Sequence, residues 1–232
     1  MTSCTSPEPL TDYVDPRIGT AHSRWFFFTP AAVPFGMAKL APTPDGHLGN
    51  PGGWQAVGRY TFPASEEANL IFNIGTKMGE SGPARDASVT FTEDGRIEGW
   101  VVTEPVYVDI YQKGAVVKMY FSAVVDAEPA SWGAFCGEEV FAGERSRTGV
   151  GAGVYLRFDT RARRDVGVKI GLSYTSVENA RLNMNTEQPG FDFDKVRTAA
   201  STMWNKDLSK VQVEGGTKDE KTIFYTGMYH LL

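Results

Sequence analysis

The carboxylates and histidines of this sequence show no spacing that identifies a complete catalytic site. Hydrolysis of a sugar bond normally needs two carboxylates, one acting as an acid and the other as a base or nucleophile. No recognisable pair motif occurs among the candidates Asp15, Asp45, Glu66, Glu67, Glu80 and Asp86. The histidines His22, His47 and His230 lie far apart and lack the spacing of zinc ligands. We therefore predict no catalytic residue and no metal ligand in this chain.

Aromatic and polar residues in loop-like stretches are better candidates, for binding a sugar. Gly19 lets the backbone approach a ligand, His22 and Arg24 can donate to hydroxyls, and Trp25 and Trp54 offer flat apolar faces. We predict that these residues bind substrate, with His22, Trp25 and Trp54 close together at one edge of the domain. The alternative is that Trp25 anchors the core and His22 is a solvated turn residue.

Composition and charge exclude several partners. The chain has 232 residues, a net charge of −5 and no cluster of Lys and Arg. Nucleic acid is therefore not an expected partner, because phosphate binding needs a concentrated basic face. The short run Arg161–Arg164 is interpreted as a solvated turn. No run approaches the roughly 18 apolar residues of a membrane span, so we predict no transmembrane segment.

The two cysteines leave two questions open. Cys4 and Cys136 could pair, but Cys4 lies in a polar tail, which favours a lone buried thiol at Cys136. Small residues before Cys4, followed by a polar spacer, resemble the trimmed end of a bacterial lipoprotein signal. That pattern predicts an extracytoplasmic protein, in the periplasm or on the outer membrane. A disordered chain end is an equal alternative.

Most of the chain has the pattern of an antiparallel β-sandwich. Gly and Pro are frequent, and aromatic residues reach 12%. A strand is predicted at Ala68–Gly75. Three strand pairs are predicted after it: Ala87–Thr92 with Arg96–Thr103 around Asp94-Gly95, Val106–Tyr111 with Val116–Phe121 around Lys113-Gly114, and Val154–Phe158 with Val166–Tyr174.

The C-terminal part has a helical pattern instead. Apolar residues from Val196 to Val211 recur at three and four positions, which predicts an amphipathic helix. Thr217 and Glu220 form a capping box that begins a second helix, whose apolar stripe includes Phe224. The pattern stops at Leu232, and we interpret this helix as the beginning of a further helical domain.

Four stretches carry a family resemblance: YVDPRIGT at 13–20, TPAAVPFGMAKLAP at 29–42, RYTFPASEEANLIFNIG at 59–75, and residues 173–232. They resemble glycoside hydrolase family 92, the calcium-dependent exo-α-mannosidases of bacteria. The resemblance implies an N-terminal β-sandwich packed on an (α/α)6 barrel, with the active site between them. It also implies removal of terminal mannose with inversion by an acid–base carboxylate pair.

This chain departs from that family pattern in two ways. The catalytic carboxylates and most calcium ligands belong in the family to the helical domain, so none can be assigned here. Residues 49–58 run directly into Arg59, where family members usually have many more residues. An internal shortening is the favoured interpretation, and a compact relative is the alternative.

The expected organisation is therefore mostly β. It comprises a tail at 1–12, the sandwich at 13–190, a linker helix at 191–216, and the first helix of a missing (α/α)6 domain at 217–232. The predicted function is the substrate-side domain of an α-mannosidase for mannose-containing glycans, inactive alone, with the catalytic domain as partner and calcium only in the full-length family. The alternative is a stand-alone carbohydrate-binding or structural domain.

Overall fold

The computed structural model describes residues 8–18, 55–76, 82–187 and 189–232. These residues divide into two compact units, one made of 8–18 with 194–232 and the other of the described residues between 55 and 193. The strands in these ranges are β1 (Gln55–Thr61), β2 (Ala68–Asn73), β3 (Ala84–Phe91), β4 (Arg96–Thr103), β5 (Val117–Val125), β6 (Ser131–Cys136), β7 (Glu139–Ala142), β8 (Ser146–Thr148), β9 (Ala152–Phe158) and β10 (Asp165–Ser173). The helices are a 3₁₀ helix (Leu10–Tyr13), α1 (Val106–Tyr111), α2 (Val177–Glu187), α3 (Phe193–Leu208) and α4 (Lys218–Leu231).

The strands form two antiparallel sheets, as the sequence predicts. The larger sheet has the order β1-β10-β5-β4-β3-β8, and the smaller has the order β2-β9-β6-β7. Alternate side chains of both sheets are buried against each other. The buried cluster between them includes Val89, Ile97, Ala123, Val154 and Leu156, each fully buried. The mostly β sandwich predicted from turns and alternation is therefore confirmed.

The hairpin predicted around Asp94-Gly95 is also confirmed. Strands β3 and β4 pair from Phe91 with Ile97 onward, and Gly95 has a φ of 79°. That value lies in the left-handed region, which glycine adopts without steric cost. Thr92 completes the turn, because its amide donates to the carbonyl of Arg96 over 2.8 Å.

The hairpin predicted around Lys113-Gly114 is wrong in its first arm. Residues Val106–Tyr111 form the short helix α1, while the second arm is strand β5. Pro105 precedes the helix with a φ of −63°, and the Asp109 carboxylate accepts the Gly114 amide over 2.9 Å. These local contacts favour a helical turn over the strand that the β-branched residues and alternation indicated.

The third predicted pair is wrong as well. Strand β9 lies between β2 and β6 in the smaller sheet, whereas β10 lies between β1 and β5 in the larger sheet. The connection between β9 and β10 therefore crosses from one sheet to the other. The hydroxyl of the buried Thr160 donates to the Pro63 carbonyl over 2.7 Å, which ties this crossing to the similar one between β1 and β2.

The basic run in this crossing is exposed, and its arginines make specific contacts. Arg161 pairs with Asp159 and Glu66, and Arg163 pairs with Asp126. Arg164 Nε donates to the Phe62 carbonyl over 2.8 Å. The run is a surface turn, as predicted, and it also fastens neighbouring loops to each other.

The exposure of Cys136 differs from the prediction. Cys136 is a free thiol, but it is partly exposed rather than buried, because it ends strand β6 where that strand turns into β7.

Helix α2, which the residue pattern did not predict, covers the outer face of the larger sheet. Gly171 of β10 allows it to approach closely, since a Cβ there would lie 2.1 Å from the Ala180 carbonyl oxygen.

Candidate functional site

The five predicted sugar-binding residues, Gly19, His22, Arg24, Trp25 and Trp54, lie outside the described residues. Their predicted proximity at one edge of the domain therefore stays a prediction. The structure does describe the segment that leads directly into their loop, residues 8–18. That segment carries the beginning of the YVDPRIGT motif and belongs to the same compact unit as α3 and α4.

Helix α4 holds this segment at two points. The Asp15 amide donates to Thr226 Oγ1 over 2.9 Å, and Thr226 is buried. His230 Nε2 lies 3.0 Å from the Ile18 carbonyl oxygen. A carbonyl oxygen only accepts, so His230 donates from Nε2 in this contact. The backbone is therefore fixed at Ile18, immediately before Gly19, the first of the predicted binding residues.

The turn between these two anchors is organised by Asp15. Its carboxylate accepts the Arg17 amide over 3.1 Å and pairs with the Arg17 guanidinium at 2.8 and 2.9 Å. The hydrogen bonds from the Arg17 side chain and then its amide lower the pKa of Asp15 from the ordinary 3.8 to about 2. Asp15 is thus ionised at neutral pH, and its charge is already matched within the turn.

A small buried cluster supports the anchors. Trp204, Leu208 and Tyr225 are buried, and Leu10, Tyr13 and Val14 of the N-terminal segment pack against them. The ring centres of Tyr13 and Tyr225 lie 5.9 Å apart. The predicted tail thus includes a residue, Leu10, that contributes to this packing.

Helix α4 begins at the predicted capping box. Thr217 Oγ1 accepts the Glu220 amide over 3.2 Å, and the Glu220 carboxylate accepts the Thr217 amide over 2.7 Å. The Glu220 carboxylate also accepts the Thr217 hydroxyl over 3.0 Å, and the two hydrogen bonds it accepts, the one from the Thr217 amide foremost, lower the pKa of Glu220. The box fixes where the helix starts, and the start sets the direction in which Thr226 and His230 project.

Thr226 and His230 were missed as functional residues by sequence reasoning. Their spacing of four places them on one helix face, and this was the available signal. This spacing did not suffice to predict their anchoring role, because their hydrogen-bond partners lie more than 200 positions away along the chain.

The described residues do not form a metal centre. Within 8–18, 55–76, 82–187 and 189–232, no group of three or more His, Cys, Asp and Glu side chains could hold a metal ion. Calcium stays an expectation from the family resemblance. None of the helices in the same ranges is long and apolar enough to cross a membrane.

Comparison with protein-family models identifies both parts of the chain. Residues 55–173 match the glycosyl hydrolase family 92 N-terminal domain, and residues 179–232 match the family's catalytic domain. The chain belongs to glycosyl hydrolase family 92. The boundary between the two matches falls at the beginning of α2, so α3, α4 and α2 from residue 179 onward lie in the catalytic-domain match.

Solved structures of family 92 enzymes share this fold. A family 92 α-mannosidase from Bacteroides thetaiotaomicron aligns with a TM-score of 0.81 at 18% identity, covering 96% of this chain and 41% of that enzyme. A family 92 inverting mannosidase from strain VPI-5482 of the same species aligns with a TM-score of 0.61 at 19% identity, covering 86% of this chain and 28% of that enzyme. The chain therefore spans less than half of either enzyme.

A fungal relative matches part of the sequence. An uncharacterized secreted glycosidase of Arthroderma benhamiae is 34% identical over 85 residues, which cover 34% of this chain and 11% of that protein.

Proposed function

We propose that this chain is the substrate-side part of a family 92 exo-α-mannosidase that acts on mannose-containing glycans, and that it does not hydrolyse them alone. The observation that carries the proposal is the pair of adjoining family matches, to the N-terminal domain at 55–173 and the catalytic domain at 179–232. A stretch of 54 residues, from 179 to 232, is much shorter than an (α/α)6 barrel, which has twelve helices of about ten residues or more.

The anchoring of residues 15–18 supports the substrate-side role. Two hydrogen bonds between this segment and α4 fix the backbone that enters the loop with Gly19, His22, Arg24 and Trp25. A sugar-binding loop needs such support, because a ligand is recognised by groups held in place before it arrives. Trp54 is the proposed second aromatic residue that packs against the sugar.

The remaining parts of the proposal concern partners and location. The catalytic carboxylates and the calcium ligands would come from the rest of the helical domain. A location outside the cytoplasm is supported by the fungal relative, which is described as secreted. Cys4 would anchor the protein as a periplasmic or outer-membrane lipoprotein.

A hydrolysis assay tests the proposal. The 232-residue chain should release no product from an aryl α-mannoside, with or without calcium. The same chain extended by its native downstream sequence should release it when calcium is present. A mock purification from cells without the gene controls for contaminating glycosidases. Calcium-dependent turnover by the short chain, absent from the mock preparation, would refute its inactivity.

The native gene distinguishes the second candidate function. A gene that continues past Leu232 into further helical sequence supports the mannosidase. A stop codon directly after Leu232 would instead favour a stand-alone carbohydrate-binding domain, which also requires mannose binding at the Trp25 and Trp54 loops.

A further inference from the structure

A pocket of about 550 Å³ opens where the β3–β4 turn meets the segment that follows β5. Its size lies within the range typical of small-molecule sites. Two aromatic residues, one arginine and two glutamates give it its chemistry: Phe91, Trp132, Arg145, Glu93 and Glu128. All of them belong to the sandwich unit, and none is among the residues predicted to bind substrate.

Arg145 supplies hydrogen-bond donors to this pocket. Its guanidinium lies 4.5 Å from the Trp132 ring centre and 5.0 Å from that of Phe91. Nη1 donates to the carbonyls of Phe91 and Thr92 over 3.2 and 3.1 Å, which fixes the group in place. Within the described part of the chain Nε and Nη2 make no hydrogen bond, so these donors remain for a ligand.

Trp132 adds a second donor. Its indole Nε1 is buried and has no hydrogen-bond partner among the described residues. Buried polar groups are nearly always paired, so this donor is an unsatisfied group in a residue that lines the pocket. Trp132 also packs against Phe91, with ring centres 5.5 Å apart.

Glu93 and Glu128 supply the acceptors. Both are exposed, and neither makes a hydrogen bond or ion pair within the ranges that the structure describes. The neighbouring carboxylates differ, because Asp94 accepts from Thr92 and Arg96, and Asp126 accepts from Arg163 and the Gly167 amide. Of these four carboxylates, the two glutamates are therefore the ones with both oxygens free of partners among the described residues.

We propose that this pocket is a second sugar site, which binds one neutral pyranose between Arg145 and the carboxylates of Glu93 and Glu128. A hydroxyl both donates and accepts, so it satisfies these opposite groups at once. An anion would be repelled by the carboxylates. A cation would meet the Arg145 guanidinium, which already covers the aromatic rings. This inference does not depend on the proposed mannosidase function.

Indole N–H signals in a ¹⁵N NMR spectrum test the proposal on the complete 232-residue chain. The chain has five tryptophans, and the Trp132 signal is assigned by its loss in Trp132→Phe. D-mannose is the probe. We expect the Trp132 signal to shift saturably, with a Kd on the order of 10 mM, as few atoms of a monosaccharide are engaged.

Two glutamate variants distinguish mannose binding in this pocket from binding elsewhere on the chain. Glu128→Gln should raise the Kd about threefold or more, because it removes one charge-assisted hydrogen bond. Glu139→Gln, an exposed glutamate on β7, should leave the Kd unchanged. The proposal is overturned if the Trp132 signal does not shift saturably, or if Glu128→Gln binds as tightly as Glu139→Gln. Saturable shifts confined to the Trp25 and Trp54 signals would also overturn it, while supporting the substrate loop.

Discussion

At the scale of single residues, the Asp15 turn makes a direct pH prediction. The Asp15 carboxyl should titrate near pH 2, and Arg17→Gln should raise its pKa toward, but not to, 3.8. The variant removes the side-chain hydrogen bonds and leaves the one from the residue 17 amide. NMR titration of the Asp15 side chain measures both values.

The same shift has a consequence for stability. A carboxyl whose pKa is lower in the folded state stabilises the fold above its unfolded pKa, and this contribution is lost as the pH falls toward the folded pKa. The contribution of Asp15 should therefore disappear between about pH 4 and pH 2. Arg17→Gln should show a weaker loss across this window. An identical pH dependence in both proteins would contradict the role of the Arg17 side chain.

Gly95 tests the turn of the β3–β4 hairpin. Its φ is 79°, and a Cβ added there would have no atom within 4 Å, so only backbone strain opposes a side chain. Gly95→Val should lower the free energy of unfolding by about 1 kcal/mol or more, because β-branched residues are strained at positive φ. Gly95→Asn should cost less, since asparagine tolerates this region. Urea unfolding compares the two, and equal losses would refute the turn assignment.

Local chemistry explains which single residues could be predicted. Gly95 and the Thr217 capping box depend on neighbours within four positions, and both were predicted correctly. The anchoring roles of Thr226 and His230 depend on contacts across the chain and were not. The exposure of Cys136 depends on where strand β6 ends, which its own residue type does not reveal.

At the scale of elements, helix α2 is held to the sheet by an ion pair. Glu98 of β4 is 7% exposed, and both its oxygens accept from the Arg181 guanidinium, while Ser122 Oγ donates to it over 2.7 Å. Removing one partner of such a pair leaves a buried charge unmatched. This contact should therefore matter more than the surface ion pairs around it.

Substitution of Arg181 measures how much its ion pair with Glu98 contributes to the free energy of unfolding. Arg181→Met should lower the free energy of unfolding by about 2–4 kcal/mol, because the Glu98 charge stays buried. The double variant Glu98→Gln with Arg181→Met should be more stable than the single one. Arg157→Met, which removes an exposed ion pair with Glu67 and an exposed hydrogen bond to Asn69, should cost less, about 1 kcal/mol or below. Urea unfolding measures the free energy of unfolding of all three variants. Equal losses for Arg181→Met and Arg157→Met would contradict a larger contribution from the buried pair.

Gly171 tests how closely α2 packs on the sheet. A Cβ there would lie 2.1 Å from the Ala180 carbonyl oxygen and 2.7 Å from Met184 Cβ, so α2 would have to move. Gly171→Ala should destabilise the sandwich by about 1–3 kcal/mol, the usual cost of overpacking. Gly190→Ala is the control, because its nearest atom would be 4.0 Å away. A Gly171→Ala protein as stable as the control would mean that α2 does not depend on this close approach.

The elements also show where sequence patterns fail. The residue pattern did not predict strands β1, β6, β7 and β8, and of these β7 and β8 have only four and three residues, too few to show alternation. Helix α1 looked like a strand, since six residues are too few to separate a period of two from one of 3.6. The β9–β10 error has another cause, because alternation shows that a strand exists but not which sheet it joins.

At the scale of the whole molecule, the two compact units differ in how much they bury. The sandwich cluster contains fifteen buried residues, whereas the cluster of the other unit contains three, Trp204, Leu208 and Tyr225, among the described residues. Stability rises with the apolar surface removed from water. We propose that further residues of the catalytic domain pack against the helical unit. Such packing would explain why its buried cluster is small.

This difference predicts unequal protection in hydrogen exchange. Amides of α4 (Lys218–Leu231) should exchange faster than those of α2 (Val177–Glu187), although both are regular helices and α4 has the better N-cap. The reason is tertiary packing, because α2 buries Ala180 and Met184 completely against the large sheet, and helices of this length are marginal without such contacts.

Native-state hydrogen exchange followed by mass spectrometry on the 232-residue chain measures the exchange of peptides from α2 and α4 separately. In a chain extended by native downstream sequence, α4 should become more protected while α2 changes little. Protection of α4 equal to that of α2 in the short chain would show that the small cluster is sufficient to stabilise its unit.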